Sequence, residues 1–140
     1  MRIRSNTMLA VGLAMKNIIL EKIQWAFYGD LYTTEESFKI ALLEFQEDNF
    51  EESVIDEICV LSDEIEVSYW TYLDENQIDR KVTVTASNRK SLSAFEILYK
   101  LNNLIGSDMS EIDHYFFQGL IENDTSEKSS GRSFTIWQGS

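Results

Sequence analysis

The chain has 140 residues and carries 24 acidic side chains against 12 Lys and Arg, for a net charge of −12, with 44% of residues hydrophobic. That length suits one domain able to bury about two thirds of its unfolded surface, and that apolar content excludes a disordered acidic tail. The charge excludes nucleic acid and anionic membranes as attractive surfaces and favours a basic partner.

At the N-terminus, Arg2 and Arg4 precede an apolar run from Met8 to Met15. The run resembles a secretory signal, but it spans 8 residues, Lys16 ends it and no small-x-small cleavage site follows. It is also far shorter than the roughly 20 apolar residues that cross a bilayer. With Met8 and Met15 as alternative starts, residues 1–14 read as an extension or disordered N-terminus and residues 15–140 as a single α+β domain.

Helical spacing of Met15, Ile18, Ile19, Ile23, Ala26 and Phe27 predicts a helix running into Gln24, although Ile23, Trp25 and Phe27 also alternate as a strand does. Gly29 and Asp30 break the pattern. Thr33 and Glu36 then form a capping box that predicts a helix over 34–47, with Phe38, Ala41, Leu42 and Phe45 on its apolar stripe. Phe50 to Leu61 fits either a helix through Val54 and Ile58 or a short strand from Ile58 to Leu61. Clear alternation from Ile65 to Leu73 predicts a strand, Asp74 to Gln77 a turn, and Lys81 to Ala86 a second strand, paired as an antiparallel hairpin. Ser93 and Glu96 make a second capping box, opening a helix with Phe95, Leu98, Leu101, Leu104 and Ile105 on one face and Gly106 at its end. Tyr115 to Ile121 and Ser133 to Trp137 predict a last strand pair around a polar loop, 122–132. The expected architecture is α+β: a small antiparallel sheet of about four strands packed against two or three helices as a single layer pair.

The acidity is confined to one window. Between Ile40 and Asp79 lie 13 carboxylates (Glu44, Glu47, Asp48, Glu51, Glu52, Asp56, Glu57, Asp63, Glu64, Glu66, Asp74, Glu75 and Asp79) and no Lys or Arg, whereas the remaining hundred residues hold 11 acids and 12 bases. Glu44 and Asp48 sit one helical turn apart and could share a hard cation, but no calcium-loop spacing and no carboxylate–histidine set supports a metal, and a solvated acidic face is the expectation. Zinc is disfavoured because His114 and Cys59 are the only His and Cys. The lone Cys59, between Ile58 and Val60, cannot form an internal disulfide and reads as a small buried hydrophobe, in keeping with a reducing cytoplasm.

His114 follows Asp113, a pairing that can make a general base. On a strand, neighbours point to opposite faces, so Asp113 is not expected to orient His114, and a structural role is the expectation. Phosphate-binding, dinucleotide, serine-hydrolase and zinc-protease motifs are absent from the sequence. No catalytic residue, metal or cofactor is therefore assigned. Trp70, Tyr72, Tyr115, Phe116, Phe117 and Trp137 could stack bases, but such platforms flank basic grooves, and only Arg80-Lys81 and Arg89-Lys90 offer paired bases. Most of these aromatics are expected in the core, with Trp70 and Tyr72 exposed as anchors inside a carboxylate rim.

The stretch Val82 to Asn88, the helix from Ser93 to Asn103, the run Asp113-His114-Tyr115-Phe116-Phe117-Gln118-Gly119-Leu120 and the end Trp137-Gln138-Gly139-Ser140 together resemble a group of small acidic bacterial proteins of unassigned function. The likeness covers roughly the last 60 residues; Tyr115 and a shorter final loop depart from the group's pattern. It implies a small bacterial α+β domain and keeps Asp113-His114 as a candidate functional pair, without implying an activity. Size and acidity also resemble those of immunity proteins of bacterial toxin systems. The expected function is thus that of a non-enzymatic cytoplasmic binding protein, with Glu44, Glu47, Asp48, Glu51, Glu52, Trp70 and Tyr72 facing a basic protein partner such as a toxin domain. The alternatives are a self-associating structural domain, as in a homodimer, and a small-ligand or enzyme site at His114.

Overall fold

Ile65, Val67, Tyr69 and Thr71 are buried while the residues between them are only partly so, which is the period of a strand with one covered face. They belong to β4 (Glu64–Leu73), which turns through Asp74 and Glu75 into β5 (Asn76–Thr85) in an unbroken antiparallel register, Glu64 opposite Thr85 and Leu73 opposite Asn76. The computed structural model describes residues 17–123 and 132–139, so the expected N-terminal extension and most of the polar loop 122–132 lie outside the described residues. In chain order the other elements are β1 (Ile18–Ile19), β2 (Trp25–Ala26), α1 (Glu35–Phe45), a 3-10 helix (Glu52–Asp56), β3 (Ile58–Val60), β6 (Leu92–Ser93), α2 (Ala94–Met109), β7 (Phe116–Glu122) and β8 (Arg132–Gly139).

The main sheet has six strands in the order β1-β7-β8-β4-β5, with β2 beside β1 on the edge of β7, and β3 and β6 form a separate pair. This exceeds the four strands expected, and the sheet is mixed: β8 inserts between β7 and β4, antiparallel to the first and parallel to the second. Both α-helices lie on one face. Phe38 and Leu42 of α1 and Ile97, Leu98, Leu101 and Ile105 of α2 are fully buried together with Val67, Val84, Leu120 and Phe134 from the sheet.

The first helix expected does not form. Ile18 and Ile19 pair with Ile121 and Leu120, and Trp25 and Ala26 pair with Phe117 and Phe116, so ladder bonds on β7 replace helical ones. Leu20, at φ 62°, breaks the chain between them. Alternation of Ile23, Trp25 and Phe27, all buried, was the better guide.

Helix α1 is capped by Thr34, one residue later than the expected Thr33: its hydroxyl accepts from the Ser37 amide at 3.1 Å, and the Ser37 hydroxyl donates back to the Thr34 carbonyl at 2.9 Å. Ser93 caps α2 as expected, accepting from the Glu96 amide at 3.1 Å. Gly106 does not end that helix, which continues to Met109; Gly106 packs on Gly29, and even a Cβ there would meet the Gly29 Cα at an ordinary 3.6 Å.

Three side-chain amides each bond both the N–H and the C=O of one residue as a neighbouring strand would, two of them on irregular backbone and one on β4. Gln46 holds Gln24 (2.9 and 2.6 Å), Asn103 holds Tyr32 (3.1 and 2.8 Å) and Gln138 holds Trp70 (2.9 and 3.2 Å).

Glu96 ties the loop after β5 to α2, accepting from the Ser87 amide at 2.7 Å and from Lys100 Nζ at 2.8 Å. Burial alone raises its pKa, but these hydrogen bonds outweigh it and hold the carboxyl below its ordinary value. Because the folded pKa is the lower one, the stabilisation is complete above the unfolded value and is lost as pH falls through the folded value. Glu96→Gln is expected to lower stability by about 1–2 kcal/mol at neutral pH. The gap in Tm from the parent should close as pH falls below about 4.5, which thermal melts across pH 2.5–7 would test.

Candidate functional site

The carboxylates of the acidic window remain on the surface. Twelve of the thirteen are exposed; Glu66 is half-buried and meets Lys81 at 3.8 Å, the one ion pair in this set among the described residues. They separate into groups. Glu44 rides on the outer face of α1, Glu47 and Asp48 on the turn after it, Glu51 and Glu52 at the start of the 3-10 helix, and Asp56 and Glu57 at its end. Ile55 is buried against the core and fixes this short helix, leaving the acids between its apolar contacts turned outward. Asp74, Glu75 and Asp79 sit at the β4–β5 turn, and Asp63 and Glu64 at the opposite end of β4.

Trp70 and Tyr72 do not share the α1 surface. On β4 they alternate with Tyr69 and Thr71, whose hydroxyls donate to Asp108 of α2 (2.7 Å to its Oδ2, 2.9 Å to its carbonyl). Trp70 and Tyr72 therefore face away from the helices and toward the open side of the sheet. The 3-10 helix lies at the other end of α2, where the Ala94 amide donates to the Glu57 carbonyl at 2.9 Å. A helix of 16 residues spans about 24 Å, so the expected combination of α1 acids with Trp70 and Tyr72 is two patches.

What the fold does join is Trp70, Tyr72 and the Asp113–His114 pair. The Trp70 and Tyr72 rings meet edge to face with centroids 5.6 Å apart, and the His114 ring lies 5.2 Å from Trp70. Asp79 stands directly across the ladder from Trp70, and a groove of about 460 Å³ lined by Ser68, Trp70, Asp79, Lys81 and Thr135 runs beside it. Gln138, which the sequence reading missed, sets the arrangement: besides clamping Trp70 it donates to the His114 carbonyl at 3.3 Å. No sequence signal marks it, since its role exists only where β8 diverges from β4 after Thr135.

The expectation that Asp113 does not orient His114 is corrected. Residues 113 and 114 precede β7 in a bend, free of strand alternation, and Asp113 Oδ1 lies 2.8 Å from His114 Nδ1. The hydrogen bond from His114 holds the Asp113 carboxyl below its ordinary value. Both side chains are open to solvent, 40% for His114 and 82% for Asp113. With Nδ1 engaged, Nε2 is left to accept or donate, the arrangement of a general base, but among the described residues no hydroxyl, thiol or amine hydrogen-bonds to it.

Cys59 is half-buried rather than fully so, and burial followed by the nearby Glu57 pushes its thiol up, away from thiolate chemistry. Among the described residues no group of three His, Cys, Asp or Glu is placed to hold a metal, and no helix is long and apolar enough to cross a membrane. Comparison of the chain with known protein families, with curated proteins and with solved structures finds no match in any of the three.

Proposed function

We propose that this chain is a non-enzymatic bacterial binding protein of the cytoplasm whose acidic surface, from the end of α1 through the 3-10 helix, engages a basic protein. The observation that carries this reading is the run Glu44, Glu47, Asp48, Glu51, Glu52, Asp56 and Glu57: all exposed, with no Lys or Arg in ion-pairing distance among the described residues. Uncompensated charge of one sign raises the association rate with an oppositely charged partner and rejects like-charged ones. The specific case favoured is neutralisation of a nuclease toxin, whose phosphate-binding cleft is basic and accepts a carboxylate-bearing mimic of nucleic acid. Trp70 is half-buried rather than exposed as expected, so with half-exposed His114 it backs a separate patch, away from the α1 acids, in which Tyr72 is the exposed aromatic.

Capture from the native host at low salt, followed by rate measurements on the purified basic partner, tests the reading. Between about 0.05 and 0.5 M salt the association rate is expected to fall at least about tenfold as screening shortens the Debye length. A variant combining Glu47→Lys, Asp48→Lys, Glu51→Lys and Glu52→Lys should abolish binding at either salt while folding normally. A rate indifferent to both salt and charge reversal would refute the proposal.

A further inference from the structure

We infer that β5 is a docking edge for a second copy of this chain, paired antiparallel about a two-fold axis through Arg80. β5 is the last strand of the main sheet, and among the described residues nothing pairs with its outer side. Its ten residues run without a bulge, and the chain has no proline to interrupt such an edge.

Turn geometry fixes which backbone groups are free. Asp74 and Glu75 both have positive φ, 51° and 72°, as a two-residue type I′ turn requires, so Leu73 and Asn76 close the hairpin as a hydrogen-bonded pair. Alternate residues from Asn76 through Ile78, Arg80, Val82 and Val84 then point their N–H and C=O toward β4. Gln77, Asp79, Lys81, Thr83 and Thr85 point theirs outward. Two bonds beyond the hairpin obey this parity: the Ala86 amide donates inward to the Asp63 carbonyl at 2.8 Å, and the Thr85 carbonyl, facing outward, accepts from Lys100 Nζ at 2.6 Å.

Of the three registers centred nearest the middle of the strand, on Asp79, Arg80 and Lys81, only the one on Arg80 sets opposite charges across the edge. Centred on Arg80, the outward residues pair as Asp79 with the second copy's Lys81 and Gln77 with its Thr83, each twice. Ile78 meets Val82 on the helix side. Centring on Asp79 sets two aspartates face to face, and centring on Lys81 sets two lysines. The two Arg80 side chains become neighbours, but each already lies 3.7 Å from its own Asp108 carboxylate, which offsets their repulsion. Charges that guard an edge against foreign strands thus become complementary when the strand meets itself. This surface is distinct from the α1 acids, so its loss leaves the basic-partner reading untouched.

Sedimentation equilibrium of the full chain at 0.15 M salt tests the inference, because distant acids are screened there over about 8 Å while facing pairs are not. The expected mass is twice 16.2 kDa. Asp79→Lys should weaken association at least about tenfold, and adding Lys81→Asp to it should restore the dimer. Thr83→Pro removes only an outward N–H and should give a folded monomer by circular dichroism. A parent chain that stays monomeric at several hundred micromolar overturns the inference, as does a dimer unaffected by Asp79→Lys and Thr83→Pro.

Discussion

Phe38→Ala is expected to destabilise the fold by about 3–5 kcal/mol, a large share of the roughly 5–15 kcal/mol that holds a domain of this size together. Phe38 is fully buried and stands at the junction of three segments: its ring centroid lies 5.0 Å from that of Trp25, 5.3 Å from Tyr32, 5.7 Å from Phe95 and 5.5 Å from Tyr99. Truncation removes the apolar transfer term and leaves a void that four large, mutually packed rings cannot close. Urea unfolding followed by tryptophan fluorescence should show a lower midpoint with an unchanged slope. Leu61→Ala, at a site 81% exposed, should shift stability by no more than about 0.5 kcal/mol. A Phe38→Ala loss below about 1 kcal/mol would mean that α1 is not anchored as described, and the acidic surface that α1 carries would lose its fixed place.

How much of this was legible in the sequence depended on whether the determining contacts were local. The hairpin was clear because alternation in β4 reports a covered face residue by residue, and α2 because Ser93 and the stripe Phe95, Leu98, Leu101 and Ile105 repeat at helical period, although Leu104, expected on that stripe, is exposed. Residues 18–26 were misread because two-residue strands carry no period of their own; their state is set by Phe116 to Ile121, about a hundred residues away. The same holds for the insertion of β8 between β7 and β4, since parallel pairing leaves no trace in either strand's pattern. β5 began five residues earlier than the expected strand because Asp74 and Glu75 adopt the left-handed turn that Asn-Gly normally marks.

At the candidate sites, exposure of the acids followed directly from their composition, whereas their grouping did not. The expected partner-binding set joined Trp70 to the α1 acids; the sheet puts it beside His114 and across from Asp79 of its own hairpin. The Asp113–His114 contact was missed because strand alternation was applied to two residues that precede the strand. β7 begins at Phe116, and in the irregular stretch before it neighbouring side chains can turn toward each other.

Asn102→Asp is expected to cost about 3–5 kcal/mol at neutral pH despite changing a single atom. Asn102 is buried in the middle of α2, where its Oδ1 accepts from the Trp25 indole N–H at 3.1 Å and its Nδ2 donates to the Asp30 carbonyl at 2.8 Å. A carboxylate keeps the first bond but presents an oxygen to the second, so an acceptor faces an acceptor and a charge is buried without a cation. Asn102→Ala, which loses both bonds but introduces no charge, should cost less, about 2–4 kcal/mol. The two variants separate with pH. A carboxyl destabilised in its ionised form has a folded pKa above its unfolded value near 3.9, so its penalty is full above the folded pKa and shrinks as pH falls toward the unfolded one. Once protonated, it can again donate to Asp30. Measured against the parent at each pH, Asn102→Asp should recover stability on acidification while Asn102→Ala does not. Parallel pH profiles for the two would show that the Asp30 bond does not hold the β2 loop to α2.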